Sequence, residues 1–216
     1  MKNTTKPIQP PIIIVSGLPR SGTSLMMQML DAGGVQVLSD GVRRADQSNP
    51  KGYFEWEPIK KLVKDTTVIR AEIAAGRVVK VISTLLPRLP KKYDYKVLYM
   101  QRDIGEVIQS QQKMLTDTGQ NIGAQDADIS AKFQAHDAKV RAWLTRAPHM
   151  QELFVNHKDL LTDPERQVAK IVSFLGPEAL PQRDRMAAVV DPRLYRTKIQ
   201  KPVRGPLGLF AIKPPT

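Results

Sequence analysis

Residues 11–30 read PIIIVSGLPRSGTSLMMQML, an apolar run that passes into a glycine-rich turn and then into a helical pattern. The run is β-branched and lacks polar alternation, as expected of a strand covered on both faces of a parallel sheet. The turn, GLPRSGTS from Gly17 to Ser24, comes close to the phosphate-binding pattern G-x-x-x-x-G-K-[ST]. Its lysine position holds Thr23 instead, and the nearest cation, Arg20, stands three residues earlier. A glycine turn between strand and helix offers an anion backbone N–H groups at the positive end of the helix dipole. Gly17 and Gly22 permit the required backbone angles, and the hydroxyls of Ser21, Thr23 and Ser24 extend the amide cradle.

In an NTPase the missing lysine would reach the β and γ phosphates, and the following hydroxyl would hold magnesium. The second NTPase signature is missing too, because VLYMQRD sets Gln101 and Arg102 between the apolar strand and Asp103. A cation at Arg20 suits a donor whose 5′ group has no β–γ bridge. Nucleoside triphosphate hydrolysis loses ground accordingly.

Further apolar runs lie at 35–38, 77–82, 95–101 and 152–155. Helical patterns fall between them, at 23–31, 58–75, 104–117 and 128–147. Another opens at Pro164, with Asp163 as its cap, and stops at Gly176. This β-α-β rhythm predicts a doubly wound α/β fold with five parallel strands flanked by helices. A single domain is expected over residues 1–192, with 193–216 as a basic, proline-containing extension.

The chain of 216 residues is 41% hydrophobic and 25% charged, which fits a folded domain and not global disorder. It has no cysteine, and its three histidines (His136, His149 and His157) fall at no metal-ligand spacing, so no metal is expected. The apolar run near the start is too short to span a membrane, which makes a cytoplasmic location the expectation. The net charge of +12 suggests an anionic partner. From Arg193 onward there are six cations, four prolines and no acid, a composition typical of a solvated segment.

Two motifs together carry a family resemblance. GLPRSGTS resembles the 5′-phosphosulfate loop, P-[KR]-[ST]-G-[ST]-[ST], of sulfotransferases that use 3′-phosphoadenylyl sulfate (PAPS). YKVLYMQRDIGEVIQS places Arg102 at a strand end and Ser110 eight residues on, as in that family's 3′-phosphate site. The stretch ELFVNHKDLLTDPERQVAKIVSFLG is similar to the family's later strand and amphipathic helix and bears on the fold alone. In all, the resemblance covers roughly residues 11–176. It implies a five-stranded parallel sheet, PAPS as donor, adenosine 3′,5′-bisphosphate (PAP) as product, and in-line sulfuryl transfer to a hydroxyl or amine without a metal. The acceptor would be a small molecule or a peptide.

Under that resemblance Arg20 would stabilise charge on the sulfuryl and bridging oxygens. Lys80 in RVVKVIST resembles the family's strand-end lysine and would share this role. Cytosolic members place a catalytic histidine two residues after that lysine, where this chain has Ile82. A carboxylate is therefore expected as the base, as in tyrosylprotein and several bacterial members. SDGVRRADQSNPKGYFEWEPIKKL offers Glu55 first, set among Tyr53, Phe54 and Trp56, and then Asp46 and Asp40. In the tail, Lys201, Arg204 and Gly205 resemble a basic loop that closes over the 3′-phosphate, which makes Arg204 a candidate contact.

Competing readings are a P-loop kinase or NTPase with altered loop chemistry, and a non-catalytic protein that binds nucleotides or other anions. Nucleic acid has little support, since no recognised motif is present and aromatics make up only 6% of residues.

Overall fold

The computed structural model describes residues 10–191 apart from 44, 46–48, 50–51, 71–73, 118 and 120–125. Its centre is the opening apolar run, which forms β1, Ile12–Gly17, buried at every position. Side chains alternate across a strand, so Ile12 and Ile14 join one apolar cluster while Ile13 and Val15 join a second on the opposite face. A strand buried on both sides has no need of polar alternation, and this explains the pattern of the sequence.

Four further strands complete the sheet: β2 Val37–Leu38, β3 Val78–Lys80, β4 Tyr95–Gln101 and β5 Met150–Asn156. All pairings between them are parallel, in the order β2-β3-β1-β4-β5. The expected fold class is therefore the observed one. β2 and β3 are shorter than the apolar runs that announce them.

Four of the helical patterns become helices: α1 Thr23–Ala32, α2 Ile104–Asp117, α3 Asp126–Leu144 and α5 Pro164–Leu175. A short helix not foreseen in the sequence, α4 His157–Thr162, follows β5, and the Asn156 side chain caps its first amides. Asp163 accepts from the Arg166 N–H, so it caps α5 as expected. Buried Met26, Met27 and Met29 of α1 share one face of the sheet with Ile171 and Leu175 of α5. Val140 and Leu144 of α3 lie over the other face.

The long helix expected at 58–75 does not form. Tight 3₁₀ turns at Glu57–Val63 and Thr66–Val68 replace it, and 71–73 lie outside the described residues. Between the two turns Asp65 accepts from both the Thr67 N–H and the Thr67 hydroxyl. Such local bonds from Asp compete with helix continuation, and β-branched Thr66, Thr67 and Val68 add to the penalty. The region still packs, through Ile59, Leu62 and Ile69, on the same face as α3.

Among the described residues, no helix is long and apolar enough to cross a membrane. The basic extension from 193 onward lies outside the described residues.

Candidate active site

In a parallel sheet the site is expected beyond the carboxyl ends of the strands, where connections leave in opposite directions. β1 lies between β3 and β4, so its loop stands at such a point, with Lys80 at the end of β3 on one side and Arg102 after β4 on the other. One cavity of about 510 Å³ spans all three.

The loop conformation depends on its two glycines. Gly17 (φ 147°) and Gly22 (φ 101°) both occupy the half of backbone space that side chains avoid. A Cβ on Gly17 would stand 2.5 Å from Ser21 Oγ and 2.7 Å from the Met100 carbonyl oxygen, and one on Gly22 would stand 2.5 Å from Cδ2 of His157. Arg20 itself has φ 68°, a strained value for a non-glycine residue. No side chain caps α1, so its first amides stay directed at the loop. Ser21 is buried and turns its hydroxyl back to the Leu18 carbonyl at 2.7 Å, which makes it a brace of the loop. Gly17, Arg20, Gly22, Thr23 and Ser24 line the cavity.

On the β4 side, the two motifs meet. Arg20 Nε donates to Ser110 Oγ at 3.0 Å, and Arg102 Nη1 donates to the Arg20 carbonyl at 3.0 Å. Arg102 Nε also pairs with Glu106 Oε2 at 3.0 Å, with both side chains largely buried. Asp103 accepts from the Glu106 N–H and so serves as a helix cap, which accounts for the QRD sequence after the strand. His157 lies under the loop against Gly22. Burial, with the Arg102 charge nearby, lowers its pKa to about 3, so the imidazole is neutral.

On the β3 side, Lys80 Nζ donates to Ser24 Oγ at 2.9 Å and to the Tyr53 carbonyl at 2.8 Å. Desolvation brings its pKa down to about 8, against the opposing pull of Glu55 and with Arg43 and Arg20 adding to the fall. Glu55 faces the same cavity and pairs through Oε1 with Arg43 Nη1 at 2.7 Å. The Arg43 guanidinium in turn stacks 3.5 Å above the Tyr53 ring. Phe54, next to Glu55, is the second residue with a strained positive φ, 52°.

Of the expected site residues, the structure gathers the phosphate loop, Arg102, Ser110, Lys80 and Glu55 around one cavity. Asp40 has a different role. Its carboxylate accepts from the Glu57 N–H at 2.6 Å and the Val42 N–H at 3.1 Å, bonds that hold its pKa below the usual value. It fixes the segment that carries Glu55. Asp46 and Arg204 lie outside the described residues. Sequence reasoning did not single out Arg43, Glu106 or His157. The i,i+4 spacing of Arg102 and Glu106 was a usable signal, whereas nothing local announces that His157 meets Gly22. Among the described residues no group of three or more His, Asp or Glu is placed to hold a metal ion.

The chain resembles two solved structures, the sulfotransferase domain of the curacin biosynthetic pathway and that of the Synechococcus PCC 7002 olefin synthase. Identity is 17% and 16%, coverage is 90% and 93% of this chain and 93% of each of those chains, and the TM-score is 0.45 for both. An unliganded sugar kinase from Janibacter sp. HTCC2649 is also similar, at 12% identity and a TM-score of 0.37, over 84% of this chain and 99% of that one. No curated protein sequence matches. A sequence model described as the sulfotransferase domain matches residues 10–194, and the chain thus belongs to the sulfotransferase family.

Proposed function

We propose that the protein transfers a sulfuryl group from PAPS to an acceptor at the carboxyl end of β1. The observation that carries this reading is the convergence of Arg20, Ser110 and Arg102 on a lysine-free phosphate loop. The residues fit such a donor, since both glycines hold the loop in a turn that side chains avoid and α1 presents its uncapped first amides to the cavity. Arg102 and Ser110 would bind the 3′-phosphate, and the loop amides with Thr23 and Ser24 the 5′ group. When bound, PAPS supplies an activated sulfuryl group on a phosphate leaving group.

The remaining work falls to the chain's own side chains. Arg20 holds negative charge on the bridging and sulfuryl oxygens through a guanidinium that stays protonated. Lys80 adds a second cation. Near neutral pH a lysine with a pKa of about 8 is mostly charged, and an anion beside it favours that form further. Glu55 accepts the acceptor's proton. Arg43 occupies its Oε1, and among the described residues no hydrogen bond is made to Oε2. As in phosphoryl transfer, positioning and charge stabilisation dominate.

The test is calorimetric titration with PAP and with ATP, each with and without EDTA. Preference for PAP that survives EDTA supports the reading. Binding or turnover abolished by EDTA would point to metal-dependent phosphate chemistry instead.

A further inference from the structure

Arg102 lines the cavity, and the carboxylate that pairs with it does not. Glu106 Oε2 accepts from Arg102 Nε at 3.0 Å, with side chains only 9% (Arg102) and 11% (Glu106) exposed. The other ion pairs among the described residues each leave one partner at 42% or more. A surface pair four residues apart contributes little, but burial changes the balance.

A guanidinium stays charged, and burying it without a counter-ion is costly. Before any nucleotide arrives, Glu106 supplies that counter-ion. Its position in the first turn of α2 suits an acid, because the helix dipole is positive there. The grip on Nε also aims the rest of the fork, and Nη1 reaches the Arg20 carbonyl at 3.0 Å. One helical turn further on, Ser110 accepts from Arg20 Nε. Arg102 and Ser110 thus hold the strained Arg20 by its carbonyl and its guanidinium, and the first hold depends on Glu106.

The same pair works against a bound anion. A 3′-phosphate that reaches Arg102 meets a charge already shared with a carboxylate. At this burial solvent screens little of the repulsion between the two anions.

Building on the donor reading above, we infer that Glu106 is a positioning residue for Arg102 that also holds down affinity for the 3′-phosphate, so that the bisphosphate product is released and not retained.

Two substitutions separate the hold from the charge. Glu106→Gln keeps the length and an oxygen for Nε but removes the negative charge. PAP should then bind at least about threefold more tightly by calorimetry and dissociate more slowly by surface plasmon resonance. Glu106→Asp keeps the charge and falls short of Nε, so PAP should bind at least about threefold more weakly. AMP, which lacks the 3′-phosphate, should stay within about twofold of the parent in both variants.

Unchanged or weaker PAP binding in Glu106→Gln overturns the inference, as does unchanged or tighter binding in Glu106→Asp. So does AMP moving in step with PAP, or a lower unfolding temperature with the ratio of the two affinities unmoved, which is the mark of a merely structural pair. Glu106→Asp decides alone if Glu106→Gln does not fold. A parent protein that fails to prefer PAP over AMP removes the donor reading itself. A parent that prefers PAP, with that preference unmoved in both variants, removes only the role of Glu106.

Discussion

Arg20 and Ser110, ninety positions apart in sequence, meet through a 3.0 Å hydrogen bond from Nε to Oγ. This bond joins the phosphate loop to α2 and brings the two motifs into one site. Ser110 is buried, and its hydroxyl fixes a guanidinium carried on a strained backbone. Replacing Ser110 with Ala removes one charge-assisted bond, worth about 1.5–3 kcal/mol, at little cost in volume. The expected result in calorimetry is PAP affinity weakened by about tenfold or more with no change in fold by circular dichroism.

Glu55→Gln keeps the shape of the proposed base and removes its ability to take a proton. General-base contributions are typically about 10²–10⁴-fold, so turnover should fall by at least about 100-fold. PAP affinity should stay within about twofold of the parent, since Glu55 lies across the loop from Arg102. Single-turnover rates alongside calorimetry check both halves of this expectation.

In the proposed mechanism Lys80 supplies an alkaline limit. Its charged form is the useful one and is lost as pH rises through about 8 in the unliganded protein. kcat/KM should therefore decline above about pH 8, approaching tenfold per pH unit. Lys80→Arg, which stays charged, should flatten that decline, and Lys80→Met should cost activity at every pH.

His157 links stability to acid. Its pKa is lowered to about 3 in the folded protein, against 6.5 for the free side chain, so the unfolded chain binds the extra proton between those values. The contribution is complete above pH 6.5 and is lost as pH falls towards 3. Between neutral pH and pH 5 the cost is about 2 kcal/mol, since each pKa unit is worth about 1.4 kcal/mol. Urea unfolding at the two pH values should show this component in the parent and lose it in His157→Gln.

The Gly22–His157 contact gives a separate expectation. Ala at position 22 brings a Cβ to within 2.5 Å of the imidazole and keeps a positive φ, so a loss of about 2–4 kcal/mol is expected. His157→Ala in the same chain should recover part of it but not the backbone strain. The four proteins of this double-mutant cycle, compared by urea unfolding, would show a coupling of about 1 kcal/mol or more.

Legibility in the sequence followed how local each cause is. β1, the loop and α1 were readable because glycine spacing, apolar run and helix start occupy twenty consecutive residues. β4 and α2 were readable because an apolar run leads directly into a helical pattern, whereas only the folded chain shows that Asp103 caps the helix. The segment 58–75 misled because its apolar spacing is helical, while Asp65 and the β-branched residues after it draw the backbone into tight turns. Asp40 attracted attention as a carboxylate near the expected site. Only the folded chain reveals that both of its oxygens are taken by backbone amides of its own segment. Arg43 and His157 act through partners distant in sequence, Tyr53 with Glu55 and Gly22 respectively, and no spacing rule announces such meetings.

In the proposed function the lysine-free loop serves a donor with a 3′-phosphate, which Arg102 and Ser110 read. Calorimetric titration of PAP against AMP, in the parent and in Arg102→Ala, decides this. The predicted result is a preference for PAP of about tenfold or more, lost in the variant while AMP affinity changes little. Equal affinity for PAP and AMP in the parent protein would contradict it.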